Sequence, residues 1–175
     1  CAAVGWPEVA ARQNPTLHDE VQAMMPLIEK ILFLQSVNIF KELSGEELRF
    51  IAGIAEETPV PAGQVIFQQG DPGDAMYLVL DGTVSIQVGG AEIVRLGKRE
   101  CVGEMAVLDN LPRSADAVAA EHTELLKIDA QSFDELLQEK HQIVKGIFKV
   151  LSSRLRQSTA RTANTDPRMK AFAPP

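Results

Sequence analysis

Cysteine and histidine, which build most disulfides and many metal sites, are scarce in this 175-residue chain. The two cysteines are Cys1 and Cys101, and the three histidines, His18, His122 and His141, are scattered along the sequence. This spacing matches neither a zinc site nor a disulfide framework. We therefore expect no metal, no cofactor and a reducing cytoplasmic location, with Cys101 as a small apolar packing residue.

Positive charge is also in short supply. The chain has 17 lysines and arginines against 24 aspartates and glutamates, a formal net charge of −7. Surfaces that bind nucleic acid are usually basic, and the sequence after Leu155 is too short for a helix-turn-helix, so we expect no nucleic acid partner. A local basic patch near the C-terminus remains an alternative to a solvated helix face. Its residues are Lys145, Lys149, Arg154, Arg156 and Arg161.

Long apolar runs and catalytic motifs are missing as well. The most apolar early segment, residues 24–40, is too short and too polar to span a bilayer, and no signal peptide is visible. Ser114 has no histidine placed to act as its base, and there is no Gly-x-Ser-x-Gly elbow. Glu104 and Asp109 could act as an acid–base pair, but no further catalytic group accompanies them. We therefore expect no catalytic residues and no enzyme activity.

The sequence does contain enough apolar residues, 45%, to form a core. Residues 1–15 mix Ala, Pro and Gly without a period, which predicts a flexible arm or linker. Residues 17–34 have apolar residues at helical spacing and predict a helix that Pro26 kinks or restarts. We expect one domain over residues 16–163 and a disordered, proline-containing tail over residues 164–175.

Two capping-box patterns, in which a serine precedes a glutamate by three residues, predict helices that begin at Ser44 and Ser132. The apolar face of the first helix extends to Ala55, and Pro59 and Pro61 are expected to end this helical region.

Between the two capping boxes, short segments rich in Val, Ile and Leu alternate with glycines. The predicted strands are residues 64–67, 75–80, 83–88, 91–96, 115–119 and 124–128. Many short strands with glycine turns favour a small barrel or jelly roll, and flanking helices make the fold class α+β. Asp71-Pro72-Gly73-Asp74 is typical of a turn; its two carboxylates lack the full ligand spacing of a calcium loop.

Residues 101–117 have the composition of an anion site. Gly103 permits backbone torsions that other residues resist, and a short helix beginning after it would leave backbone N–H groups without helical partners. Arg113 adds a planar fork of donors suited to phosphate oxygens, and Ser114 adds a hydroxyl. Glu104 would repel phosphate and is better explained by a sugar hydroxyl of the same ligand. These residues predict a site for a ribose phosphate.

Both charged residues also have plainer interpretations. Arg113 could be a surface residue paired with Asp109 or Asp116. Glu104 could be a helix N-terminal residue favoured by the helix dipole. We prefer the ligand site because arginine matches phosphate geometry and a partly buried carboxylate needs a donor.

Residues 103–108, Gly-Glu-Met-Ala-Val-Leu, followed by Pro-Arg-Ser-Ala at 112–115, resemble the phosphate-binding cassette of cyclic-nucleotide-binding domains. Upstream, residues 66–82, with Gln-Gln-Gly-Asp-Pro-Gly-Asp at their centre, resemble the β-roll signature of the same family. The similarity runs from about Leu34 to Arg156, and two motifs in the right order make it specific. The family includes catabolite-activator-like proteins and the regulatory subunits of protein kinase A.

The resemblance implies an antiparallel β-roll, a jelly-roll-like barrel with N-terminal and C-terminal helices. In that family the glutamate binds the ribose 2′-hydroxyl, and the arginine and main-chain N–H groups of the short helix bind the cyclic phosphate. The implied ligand-binding residues are Gly103, Glu104, Met105, Ala106, Arg113 and Ser114. Val102 departs from the family's frequent Phe, and Ser114 departs from the Ala or Thr of eukaryotic members, although bacterial members also use Arg-Ser-Ala.

The resemblance also implies a regulatory domain that senses a cyclic mononucleotide, with cAMP first and cGMP second. Its partner would be a fused effector domain or another protein, including a membrane-associated effector in the full-length protein. The alternative is a family member that has lost ligand binding and serves as an interaction module. Glu104 and Arg113 argue against that alternative, whereas Val102 leaves room for it.

Apolar residues at helical spacing predict a last long helix from His141 to about Arg161. We expect this helix to be a mobile lid over the base, with its apolar face buried on the roll, on the N-terminal helix or in a homodimer. Gly146 lowers its stability by roughly 1 kcal/mol relative to Ala, which suits a moving segment. An interior glycine can equally allow another helix to approach closely.

Overall fold

The computed structural model describes residues 24–165, so the predicted arm over residues 1–15 and all but the first two residues of the predicted tail lie outside the described part. Its helices are α1 (Leu27–Ser36), a 3-10 helix (Asn38–Phe40), α2 (Gly45–Gly53), α3 (Glu104–Asp109), α4 (Ala130–Glu139) and α5 (His141–Thr165). Its strands are β1 (Ala55–Val60), β2 (Val65–Phe67), β3 (Ala75–Asp81), β4 (Val84–Val88), β5 (Ala91–Leu96), β6 (Cys101–Val102), β7 (Asp116–Ala119) and β8 (Thr123–Asp129). None of the described helices is both long and apolar enough to cross a membrane.

The strands form two four-stranded antiparallel sheets, ordered β1-β8-β3-β6 and β2-β7-β4-β5. One apolar cluster, which includes Tyr77 and Val79 of β3, fills the space between the sheets. A second cluster, which includes Met76 and Leu78, joins the outer face of β3 to the helices. Successive strand side chains point to opposite faces, so β3 is buried on both sides. The fold is therefore the expected α+β β-roll flanked by helices, and the described strands do not close into a barrel.

The N-terminal helix is shorter than the sequence predicted within the described residues. Pro26 is the residue before α1, with φ −56° and ψ 146°. The helix therefore begins after Pro26, and Pro26 does not kink a continuous helix. Because Pro26 precedes the first turn, its missing N–H removes no hydrogen bond of the helix. The predicted capping box at Ser44 is confirmed. The Glu47 N–H donates to Ser44 Oγ at 3.3 Å, and the Ser44 N–H donates to the Glu47 carboxylate at 2.6 Å.

The sequence prediction was wrong at the end of α2. Ala55, placed there on a helical face, opens β1, and Pro59 lies within that strand instead of ending the helix. Strand β1 lies at the edge of its sheet. An edge strand can contain a proline because an N–H on its open side has no neighbouring strand to bind. The short strand β6 was also missed.

The second capping box is a further correction. Helix α4 begins at Ala130, and its cap is Asp129, whose carboxylate accepts a hydrogen bond from the Ser132 N–H at 3.0 Å. Ser132 is therefore inside the first turn and is not the cap itself. Aspartate and serine are similarly good caps, so sequence spacing alone did not choose between them.

Helix α5 packs against residues 37–44, which join α1 to α2, include the 3-10 helix and are called the N-terminal helical segment below. A Cβ on Gly146 would overlap Leu43 Cδ2, so the glycine allows the close approach of these two segments. Ile143 and Ile147 on the same helix are buried in the core. This arrangement agrees with the packing interpretation of Gly146.

Candidate functional site

Gly103 joins β6 to α3 in a conformation that requires glycine. Its φ is +79°, in the left-handed region, and a Cβ would collide with Arg113 Nη1. The helix that follows begins at Glu104, so its first backbone N–H groups lie at this junction without helical acceptors. The predicted glycine followed by a short helix is therefore present and lies directly against the arginine, whereas the strand before it, β6, was not predicted.

Arg113 is the buried centre of the site, with a relative exposure of 3%. Its Nη1 donates to the Gly103 carbonyl at 3.0 Å, and its Nη2 donates to the Ala75 carbonyl at 2.6 Å and to Asp74 Oδ1 at 3.0 Å. Its Nε is shielded from solvent and has no hydrogen-bond partner within the described residues. An unpaired buried N–H of a charged group is unfavourable, so Nε–H can still donate a hydrogen bond to an acceptor on a ligand.

Asp74, which lies 39 residues before Arg113, is the functional neighbour that the sequence prediction missed. The predicted alternatives are engaged elsewhere: Asp109 accepts from the Leu111 N–H, and Asp116 accepts from the Gln69 N–H. Arg113 is thus neither a surface residue nor a partner of those two carboxylates. The turn composition of Asp71-Pro72-Gly73-Asp74 was the only signal, and it indicated a loop without indicating what the loop contacts.

Phe67 packs against the Arg113 guanidinium, and Tyr77 packs against Phe67. The guanidinium carbon of Arg113 lies 4.1 Å from the centre of the Phe67 ring, and the Phe67 and Tyr77 ring centres are 6.1 Å apart. Such a stack holds the guanidinium plane in one orientation. Burial, reinforced by the Asp74 carboxylate and opposed by Arg113, raises the pKa of the Tyr77 phenol, so this side chain stays neutral at physiological pH.

The loop between β2 and β3 is tied to both halves of the site. The Arg113 N–H donates to the Asp71 carbonyl at 2.8 Å, and the Gly70 N–H donates to the Arg113 carbonyl at 2.9 Å. Gly73 touches α3 so closely that a Cβ there would lie 2.5 Å from the Ala106 Cβ and 2.6 Å from its carbonyl oxygen. The loop therefore fixes the separation between Arg113 and the short helix.

The remaining predicted residues meet around one cavity of about 500 Å³. Gly103, Glu104, Met105, Ala106, Arg113 and Ser114 all line it. Glu104 is half-buried, and its side chain forms no hydrogen bond or ion pair within residues 24–165. Met105 and Ser114 are exposed, whereas Ala106 is buried against Gly73. The structure thus brings together every residue of the predicted ligand set.

The rest of the cavity wall is partly apolar and partly charged. Ile86 of β4 and Val94 and Leu96 of β5 form an apolar wall, and the N-terminal segment contributes Val37 and Asn38. Arg99 and Glu100, on the turn between β5 and β6, also line the cavity, as does Cys101. A cavity lined by apolar residues in one part and by Gly103 and Arg113 in another suits a ligand with one flat apolar part and one phosphate.

Residues 57–140 match the model of the family described as the cyclic nucleotide-binding domain. Among curated proteins, the chain is 36% identical over 125 residues to the cyclic AMP receptor protein of Thermus thermophilus, a match that covers 69% of this chain and 58% of that protein. It is 34% identical over 99 residues to a cAMP-dependent protein kinase regulatory subunit of Eremothecium gossypii, with 57% of this chain and 22% of that protein covered. The chain therefore spans less than two thirds of the length of either relative.

A solved structure of a related protein has a similar fold. The crystal structure of the catabolite activator protein of Thermus thermophilus superposes with a TM-score of 0.60 at 35% sequence identity, covering 71% of this chain and 61% of that chain. At this level of identity, the likeness extends beyond the fold to the sequence that builds it.

Proposed function

We propose that this chain, which belongs to the cyclic nucleotide-binding domain family, binds a cyclic mononucleotide in the cavity around Arg113. The first ligand proposed is cAMP, and the second is cGMP. As a regulatory domain, it would pass the binding signal to a fused effector domain or to a partner protein. The names of its relatives, a receptor and a regulatory subunit, support a regulatory role.

Arg113 carries the proposal. The residue lines the cavity and is buried beside Gly103, and its shielded Nε has no hydrogen-bond partner in the described part of the chain. A cyclic phosphate offers charged acceptor oxygens, and charge-assisted hydrogen bonds to arginine are short and strong. The backbone N–H groups at the start of α3 would add donors to the same phosphate. Asp74 would hold the opposite edge of the guanidinium, which leaves the orientation of Arg113 set before the ligand arrives.

Glu104 and the apolar wall account for the rest of a nucleotide. A half-buried carboxylate that accepts no hydrogen bond from the described residues suits a ribose 2′-hydroxyl, which is a donor. Ile86, Val94 and Leu96 offer a flat apolar surface for the face of a purine. In this proposal, the phosphate, the ribose and the base would each contact a different set of the lining residues.

One observation favours the second candidate function, a domain that no longer binds ligand and acts as an interaction module. Both terminal nitrogens of Arg113 are already hydrogen-bonded within the protein. An arginine so engaged could serve to join the β2–β3 loop to β6 and α3. Nucleotide binding by the purified protein separates the two candidates.

The test is calorimetric titration of the wild type and of Arg113→Lys with cAMP and cGMP. Lysine keeps the charge but loses the planar fork and the Nε donor. Because a hydrogen bond to a charged group contributes roughly 1.5–3 kcal/mol, we expect cAMP affinity to fall by about tenfold or more.

Arg95→Lys is the matched control. Arg95 is exposed on β5, pairs with Glu92 at 2.9 Å and does not line the cavity, so its replacement should leave affinity unchanged. A folded wild type that binds neither nucleotide would favour the interaction module. Equal affinity of the wild type and Arg113→Lys would place the phosphate away from Arg113.

A further inference from the structure

The turn between β5 and β6, residues 97–100, is held firmly against β3. The Arg99 N–H donates to the Val79 carbonyl at 2.9 Å, and the Val79 N–H donates to the Glu100 carbonyl at 3.0 Å. The Gly97 N–H donates to the Glu100 carboxylate at 2.7 Å, and the Glu100 N–H donates back to the Gly97 carbonyl at 3.0 Å. The backbone position of Arg99 is therefore fixed by its neighbours.

Arg99 adopts a backbone conformation that suits glycine better than arginine. Its φ is +73°, one of two positive values outside glycine within the described residues. Left-handed torsions are uncommon for residues with a Cβ, except Asn and Asp. Glycine would fit this turn without that conformational cost, so nothing in the turn itself requires an arginine.

Neighbouring cations have partners, whereas the Arg99 side chain has none among the residues whose structure is described. Arg95 pairs with Glu92 and Lys98 pairs with Asp81. Across residues 24–165, the Arg99 guanidinium makes no hydrogen bond, ion pair or ring contact, although it lines the cavity. Its five donors are consequently available to a molecule in that cavity.

We propose that Arg99 is a specificity-determining residue that donates hydrogen bonds to the polar edge of the purine base. This proposal rests on the binding of a cyclic nucleotide proposed above. In the chain, Arg99 lies between Leu96 of the apolar wall and Gly103 of the phosphate cradle, and all three line the same cavity. A base lying on the apolar wall would leave its polar edge free to meet a hydrogen-bond donor, and Arg99 is a cation that lines the same cavity.

The chemistry of the two purines gives the direction of the preference. Guanine presents N7 and O6 as adjacent acceptors, which matches the fork of an arginine. Adenine presents N7 beside the donor N6, and arginine has no acceptor for it. Arg99 therefore raises affinity for cGMP relative to cAMP and narrows any preference for cAMP that the rest of the site creates.

Arg99→Gly tests the proposal without straining the turn, because glycine adopts positive φ freely. We expect its thermal stability to match or exceed that of the wild type. In calorimetric titrations, we expect cGMP affinity to fall by about fivefold or more, and cAMP affinity to change by less than about twofold. Arg99→Asn, which also tolerates the left-handed region, should shift the ratio of the two affinities in the same direction.

Lys98→Ala is the control for charge. It removes one positive charge from the adjacent residue, which lies outside the cavity lining, so it should affect both nucleotides equally. An unchanged ratio of the cGMP and cAMP affinities in Arg99→Gly would overturn the proposal, whether the two affinities fall together or not at all. A wild type that binds neither nucleotide would instead refute the proposed function, and the role of Arg99 with it.

Discussion

Single residues in this site act through very short distances. Gly103 is next to the Arg113 guanidinium, and Gly73 is next to Ala106, so two glycines allow a loop, a helix and an arginine to meet. The sequence predicted Gly103 and Arg113 as site residues because glycine torsions and arginine donors have local chemical signatures. It did not predict Asp74, because the contact joins residues far apart in the chain and both belong to irregular loops.

Glu104 gives the prediction at the scale of one residue. In Glu104→Gln, an amide oxygen can still accept from a 2′-hydroxyl, but the charge is lost, so we expect cAMP affinity to fall by less than in Arg113→Lys. Wild-type protein should bind 2′-deoxy-cAMP more weakly than cAMP, and the variant should show a smaller difference between the two. Competition titrations with both ligands measure this. Equal binding of the two ligands by the wild type would show that Glu104 has another role.

Elements were predicted best where one local pattern decides the structure. The glycine-bounded strands and α2 with its capping box follow from period and cap chemistry. Strand β6 was missed because two residues have no period, and β1 was missed because Pro59 reads as a terminator unless the edge position of its strand is known. Sheet order depends on contacts between distant segments, which a local pattern does not contain.

The contact between the β2–β3 loop and α3 gives the prediction at the scale of elements. A Cβ on Gly73 would meet backbone atoms of Ala106 at 2.6 and 2.7 Å, so Gly73→Ala must push α3 away from the loop. We expect the free energy of unfolding to fall by about 1–3 kcal/mol, as for other overpacked sites, and nucleotide affinity to fall with it. Urea unfolding and calorimetry measure the two effects.

Gly53→Ala is the matched control, since an added Cβ at the end of α2 would meet no atom within 4 Å. Its stability should be unchanged or slightly higher because alanine favours the helix. If Gly73→Ala kept full stability and full affinity, the loop would not determine the position of α3.

A chain of contacts connects the ligand cavity to the last helix, α5, and offers a route by which a bound ligand would be sensed outside the cavity. Among its described side chains, helix α5 contributes none to the cavity lining, but it contacts the segment that does. Val37 and Asn38 line the cavity, while Leu43, a few residues later, packs against Gly146 of α5. The N-terminal helical segment thus lies between the ligand cavity and the last helix.

The contacts that hold α5 in place are of two kinds. Buried Ile143 and Ile147 anchor its first turns in the core. The surface pair between Lys149 and Glu42, at 2.8 Å, lowers the pKa of Glu42 through its hydrogen bond and charge, but exposed pairs contribute little to stability. Movement of α5 would therefore be easiest beyond Val150, which is fully buried as Ile143 is.

These contacts lead to the prediction that α5 closes as a lid when nucleotide binds. A ligand can shift α5 only if the ligand favours the closed arrangement over the open one, so the shift must appear as a change in the protection of backbone amides. We expect slower hydrogen exchange over residues 141–161 as well as over residues 101–115 when saturating cAMP is added. Arg113→Lys, at a cAMP concentration that saturates only the wild type, should show neither change. If cAMP slows exchange in residues 101–115 alone, α5 is a fixed structural element, and the binding signal leaves the domain by another route.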